Sequence, residues 1–93
     1  MVSVKILLFA TLRSKYNTRE LTVTCDGTLP NMIENASKKL GRKFIDDVYD
    51  RRKGKVRDDM IVMINGRNIK DLKGEITLKD NDVIAIFPPL AGG

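Results

Sequence analysis

Histidine and tryptophan are absent from these 93 residues, and Cys25 is the sole cysteine. Without histidine there is no histidine-based triad. With one thiol there is neither an intrachain disulfide nor a zinc site of the Cys/His type. Long apolar runs are missing too: the stretch Ile6 to Phe9 is far shorter than a signal-peptide core or a membrane span, which needs about 18 residues. The expected setting is therefore cytoplasmic and reducing, with no membrane partner. Neither a Gly-x-x-x-x-Gly-Lys-Ser/Thr segment nor a Gly-x-Gly-x-x-Gly turn occurs, so the chain has no phosphate-binding loop of its own. What remains is enough for one small core, 42% of the residues being hydrophobic, and too little for two.

Lys and Arg number 17 against 12 acidic residues, a net charge of +5. The run Arg51-Arg52-Lys53-Gly54-Lys55-Val56-Arg57 alone carries five cations and no anion, equal to the whole excess. It reads first as a solvated loop and second as a patch for an anionic partner. Aromatic residues for stacking on single-stranded nucleic acid are absent from it. Asp46, Asp47, Asp58 and Asp59 flank the run as charge balance.

Periodicity predicts the elements. Val2, Val4, Ile6 and Leu8 alternate with Ser3, Lys5, Leu7 and Phe9, the pattern of a half-buried strand whose outward row turns apolar at its end. A polar turn over 14–18 leads to a second strand, Leu21, Val23 and Cys25 alternating with Thr22 and Thr24, which closes a hairpin and ends at Asp26-Gly27. This alternation puts Cys25 on the core face as a small hydrophobe without a catalytic role. Thr28 is placed to cap a helix with Pro30 in its first turn. Leu29, Ile33, Ala36 and Leu40 form its apolar stripe, and Gly41 supplies the left-handed stop. Phe44, Ile45, Val48 and Tyr49 suggest a second short helix or a turn. The uninterrupted run Met60 to Ile64 reads as a central strand, followed by the Asn65-Gly66 turn signal. Asp80-Asn81-Asp82 marks another turn, and Val83 to Phe87 is the last strand, stopped by Pro88-Pro89. The order predicts an α+β domain with a mixed sheet of four to five strands under one main helix. Residues 1–87 form its body and 88–93 an extended, flexible tail.

That tail, Phe87-Pro88-Pro89-Leu90-Ala91-Gly92-Gly93, is where the chemistry concentrates. Six residues past Phe87 span at most about 20 Å, beyond the roughly 12 Å radius of so small a domain. Glycines, having no Cβ, pass a narrow channel and bring a carboxylate close to catalytic atoms.

The ending Ala85 to Gly93 resembles the small subunit of molybdopterin synthase, a ubiquitin-like β-grasp sulfur-carrier family. So do Phe9-Ala10-Thr11-Leu12-Arg13, similar to the family's Phe-Ala-x-Leu-Arg segment, and Leu78-Lys79-Asp80-Asn81-Asp82-Val83, similar to its Leu-x-Asp-Gly-Asp-x-Val turn with Asn81 in place of glycine. Val62 to Ile69 resembles archaeal-type members. The resemblance implies a carrier and not an enzyme, with the catalytic site in the large-subunit partner. Gly93, preceded by Gly92, is adenylated by a ubiquitin-activating-type adenylyltransferase that uses ATP, while this chain binds no cofactor and no metal. Sulfur then replaces AMP to give a thiocarboxylate that donates to a pterin precursor in molybdopterin or tungstopterin synthesis. The same terminus also suits a ubiquitin-like modifier joined through Gly93 to lysines of target proteins, or sulfur donation in tRNA or thiamine thiolation. Partner contacts fall to Phe9, Arg13, Phe87, Pro88, Pro89, Leu90 and Ala91, with Ile69 near them. Phe9 and Phe87 share a face because the first and last strands of a β-grasp sheet lie parallel side by side.

Overall fold

Alternation governs the first strand, β1 (Val2–Leu8): Val4, Ile6 and Leu8 are buried, and Lys5 and Ser3 are exposed. The structure, a computed structural model, describes residues 1–89. Leu90, Ala91, Gly92 and Gly93 lie outside the described residues.

Where a polar turn over 14–18 was expected, a helix α1 (Ala10–Tyr16) intervenes, and the turn is confined to Asn17, left-handed at φ 49° and ψ 42°. The correction has a simple cause: Leu12 and Tyr16 lie one helical turn apart, and Leu12 is buried at 3% exposure. Tyr16 meets the ring of Phe44 edge-on at 5.5 Å, and its hydroxyl donates to Asp47. Antiparallel β2 (Glu20–Cys25) follows, with Val23 and Cys25 buried as the alternation requires.

Helix α2 (Leu29–Leu40) starts at Thr28, whose Oγ1 accepts the Asn31 amide N–H at 3.3 Å. Met32, Ile33 and Ala36 are its buried stripe. Gly41 stops it with φ 118° and ψ 150°, positive in φ as expected but extended in ψ and so outside the left-handed helical well. Short α3 (Lys43–Val48) buries Phe44 and Val48, and the basic run folds back as a hairpin of β3 (Tyr49–Asp50) and β4 (Lys55–Val56). Next come β5 (Ile61–Ile64), β6 (Arg67–Asn68), a 3-10 turn (Ile69–Asp71) and β7 (Val83–Phe87).

The main sheet has the order β2-β1-β7-β5-β6, with β1 and β7 parallel and the other neighbours antiparallel. The middle strand is thus β7 and not the Met60 to Ile64 run. That run is buried on one face only: Met60 and Val62 point to the core at 5% and 2%, whereas Ile61 is 45% exposed. Two turns fix the register. Asn65, at φ 51°, donates from Nδ2 to Asp82 at 2.8 Å and accepts the Val83 N–H at 2.9 Å. Left-handed Asn81, at φ 70°, donates its N–H to Ser3 O at 2.8 Å. Helix α2 covers the inner face with the core between, and among the described residues no helix lies over the outer face.

Candidate functional site

The outer face is where β1 and β7 end together. Parallel register pairs Leu7 with Ala85 and Leu8 with Ile86, so the residue after β1 falls beside the last residue of β7. Those residues are Phe9 and Phe87, and their rings stack with centroids 4.3 Å apart and planes 13° from parallel. The stack stands among half-buried Leu7 and Ala85, with exposed Ile61 across β7 paired to Phe87 and Met63 paired to Ala85. Three strands therefore present one continuous apolar surface to solvent, the composition of a partner-binding face. An open hollow of about 390 Å³ between Ala10, Ile61, Met63, Phe87 and Pro88 indents it.

Arg13 closes one side. Its Nε donates to Leu8 O at 3.1 Å, and its guanidinium carbon lies 5.2 Å from the Phe9 ring centroid. Helix α1 makes this possible: four residues on from Phe9, Arg13 projects back over the turn it has just left. The guanidinium holds the ring in place, and among the described residues its other N–H groups make no hydrogen bond.

The described chain leaves the face through Pro88 and Pro89. Pro88 is buried and Pro89 is exposed. A smaller hollow there is lined by Lys15, Asp47, Arg57 and Asp59. Lys15 Nζ reaches Asp47 at 2.9 Å, and Arg57 grips Asp59 through Nη2 at 2.8 Å and Nε at 3.1 Å. Burial works against ionisation of Asp47, yet the Tyr16 hydroxyl and the Lys15 ammonium outweigh it and hold its carboxyl below the usual range. The Tyr16 hydroxyl is pushed up, first by burial and then by the hydrogen bond to Asp47.

The structure thus brings together Phe9, Arg13, Phe87, Pro88 and Pro89. Ile69 stands apart: half-buried in the 3-10 turn, it lines a hollow with Leu29, Val56 and Ile76 at the rim of the core. Asn68 Oδ1 caps that turn by accepting the Lys70 N–H at 2.9 Å, which carries the chain off the sheet toward the N-terminal end of α2. Ile61 and Met63 are face residues the sequence reading passed over. Their signal was present: apolar residues on both alternations of a strand mean either two buried faces or one buried face and one docking face.

The basic run is largely neutralised. Arg51 pairs with Asp46 at 3.1 Å, Lys53 and Lys55 both with Asp58 at 2.9 and 3.1 Å, and Arg57 with Asp59. Hydrogen bonds from Lys53 and Lys55 draw the Asp58 carboxyl down to about 2. Asp47 is the exception among the flanking acids, serving α1 instead. Cys25 is fully buried. Among the described residues no cluster of three His, Cys, Asp or Glu could hold a metal ion, and no helix is long and apolar enough to cross a membrane.

Known proteins are similar to this chain in sequence and in fold. The molybdopterin synthase sulfur carrier subunit of Drosophila melanogaster is 32% identical over 95 residues, covering 100% of this chain and 93% of its own length. Small archaeal modifier protein 3 of Haloferax volcanii is 29% identical over 98 residues, 99% of this chain and 100% of the relative. In three dimensions the solution structure of small archaeal modifier protein 1 from Methanosarcina acetivorans superposes with a TM-score of 0.79 at 32% identity, covering 100% of this chain and 98% of the other. The ThiS family profile matches residues 6–93, nearly the whole described sheet together with the tail. With that match and this fold, the chain belongs to the ThiS family of ubiquitin-like β-grasp sulfur carriers.

Proposed function

We propose that the chain is the small, sulfur-carrying subunit of a molybdopterin synthase, loaded at Gly93 and emptied in the active site of a large-subunit partner. A carboxylate is a poor electrophile and must be activated. The Gly93 carboxylate attacks the α-phosphorus of ATP on a ubiquitin-activating-type adenylyltransferase, releasing pyrophosphate and forming an acyl adenylate. The terminal sulfur of a donor persulfide attacks the acyl carbon and AMP leaves. A thiol then reduces the acyl disulfide, freeing the thiocarboxylate. Thiolate-type sulfur is a soft nucleophile suited to a carbon of a pterin precursor. This chain supplies the docking face and the tail, and the partners supply the ATP site and the catalysis, in the reducing cytoplasm where Cys25 stays a thiol.

The supporting observation is the Phe9–Phe87 stack at the end of β7, 4.3 Å between centroids, because Phe87 leads directly through Pro88-Pro89 to the tail. A partner that docks on this face receives the tail beside the contact, which supplies the orientation that an acyl transfer between proteins needs.

A second reading is favoured by the names of two relatives, the modifier proteins of Haloferax volcanii and Methanosarcina acetivorans. There the same adenylate is attacked by a lysine amine of a target protein, giving an isopeptide bond. One assay separates the two. The chain, in a Cys25→Ala background, is incubated with a family adenylyltransferase, ATP and a sulfur donor, then alkylated and mapped by mass spectrometry. An alkylated thiocarboxylate on the terminal peptide, absent when Gly93 is deleted, supports the carrier. No adduct with an adenylyltransferase active on its own carrier sinks it, and Gly93 remnants on lysines of other proteins select the modifier.

A further inference from the structure

On the helical side, away from the sheet's apolar face, an open groove of about 640 Å³ runs between α2 and α3. Ile33, Ile45 and Tyr49 form its floor, and Lys38, Arg42 and Arg51 stand along its rim. The charge there is less compensated than in the basic run. From residue 35 to residue 45 the chain carries four cations and no anion. Among the described residues Lys38 and Arg42 make no ion pair, and Arg51 shares one with Asp46 at 3.1 Å. Glu34 is the one acid in the lining. Four cations without an ion pair among the described residues, Lys38, Lys39, Arg42 and Lys43, thus cluster at the meeting of α2 and α3, although the sequence places its densest cations in the β3–β4 hairpin.

We propose that this groove is a second docking surface, made for an acidic segment of a partner protein that carries one aliphatic or aromatic anchor. Charge complementarity chooses the occupant: an apolar floor takes a side chain, and the cationic rim takes carboxylates on either side of it. Single-stranded nucleic acid fits less well, because it wants several aromatic platforms and the groove offers only half-buried Tyr49. Backbone is accessible as well, since a Cβ built on Gly41 meets nothing within 4 Å. The surface lies on the far side of α2 from Phe9 and Phe87, so a partner held here leaves that face free. Such an arrangement keeps the carrier near one protein while it is passed to another and raises its effective concentration there. The inference stands whether the tail carries sulfur or is joined to lysines.

The test is a nuclear magnetic resonance titration of the isotope-labelled full chain with a synthetic peptide of alternating glutamate and leucine, up to about 1 mM. Expected are saturable shifts at Ile33, Ser37, Gly41, Arg42 and Ile45 with Leu7, Phe9 and Phe87 unmoved, affinity that falls with salt, and about tenfold weakening in Lys38→Glu/Arg42→Glu. Both positions are exposed, and a Lys38→Gln/Arg42→Gln variant, expected to weaken binding by a smaller factor, guards against a folding defect. The proposal is overturned by an absence of saturable shifts, by shifts confined to the sheet face, by full binding in the charge-reversed chain, or by tighter binding of oligouridine than of the peptide.

Discussion

Removing the Phe9 ring tests the geometry of the face most directly. Phe9→Ala forfeits a stacked contact at 4.3 Å, worth about 0.5–1.5 kcal/mol beyond area burial, and a cation–π contact with Arg13 worth about 0.5–1 kcal/mol at so open a site. The half-buried ring adds about 1 kcal/mol of lost apolar burial. The sum, roughly 2–3.5 kcal/mol, is a large part of the about 5–14 kcal/mol expected for a domain of this size. Phe87→Ala loses the same stack and comparable burial. The assay is urea unfolding followed by far-ultraviolet circular dichroism, because tryptophan is absent, read at constant m. A double-mutant cycle isolates the stack, and a coupling of about 1 kcal/mol is expected between Phe9 and Phe87. Both single variants should also weaken binding to the activating partner by about thirtyfold, as truncation of a central aromatic does. Additivity within about 0.3 kcal/mol, with partner binding unchanged in either single variant, would refute both the stack and the face it centres.

Ile61→Lys should leave stability within about 0.5 kcal/mol, the side chain being 45% exposed, yet weaken partner binding severalfold in the same assay by setting a charge beside Phe87. Cys25→Ser should cost about 1–2 kcal/mol more than Cys25→Ala in urea unfolding, since a hydroxyl replaces a fully buried thiol and meets no partner there. Stability should depend on pH at both ends through the Tyr16–Asp47 bond. Asp47 titrates lower folded than unfolded, so its contribution is complete above about pH 4 and is lost as pH falls through its folded value. Tyr16 titrates higher folded, so its contribution is complete below about pH 10 and declines above it. Asp47→Asn should flatten the Asp47 part of the acid limb and cost about 1 kcal/mol at neutral pH, both measured as unfolding midpoints across the range.

The strands, the capped helix α2 and the turns at Asn65-Gly66 and Asn81 were legible because each rests on local rules: two-residue alternation, a side-chain cap, a residue that tolerates positive φ. The pairing of Phe9 with Phe87 was legible only through the family resemblance, since parallel strands 78 residues apart leave no local mark. Helix α1 was hidden because about two turns offer too few positions for a periodic signal, and its one buried residue, Leu12, stands among polar neighbours. The outward role of Ile61 and Met63 was hidden for the opposite reason. A five-residue apolar run looks the same whether its second face meets a core or a partner. The charge pattern was legible in part, because Asp46, Asp58 and Asp59 balance the basic run as its flanking positions suggested. What local density did not mark is the smaller group Lys38, Lys39, Arg42 and Lys43, which makes no ion pair among the described residues, whereas four of the five cations at 51–57 pair with acids close by in sequence.

The parallel pairing of the first and last strands does more than complete the sheet. It sets Phe9, near the beginning of the chain, against Phe87, the last residue of β7. An outer face built from β1, β7 and β5 alone would be a solubility liability, since burying it under a helix is the usual outcome for so apolar a surface. Here a helix on that side would cover the strand end from which Pro88 and Pro89 lead to the tail. Under the proposed function, a bare face couples recognition to delivery: a partner that docks there desolvates Ile61, Phe9 and Phe87, and in doing so takes hold of the strand that leads to the tail. The placement also explains why Arg13 is pinned to Leu8 O across the Phe9 ring. A half-buried aromatic held by a hydrogen-bonded guanidinium would lose little rotamer freedom on docking, so less of the contact energy would go into ordering it.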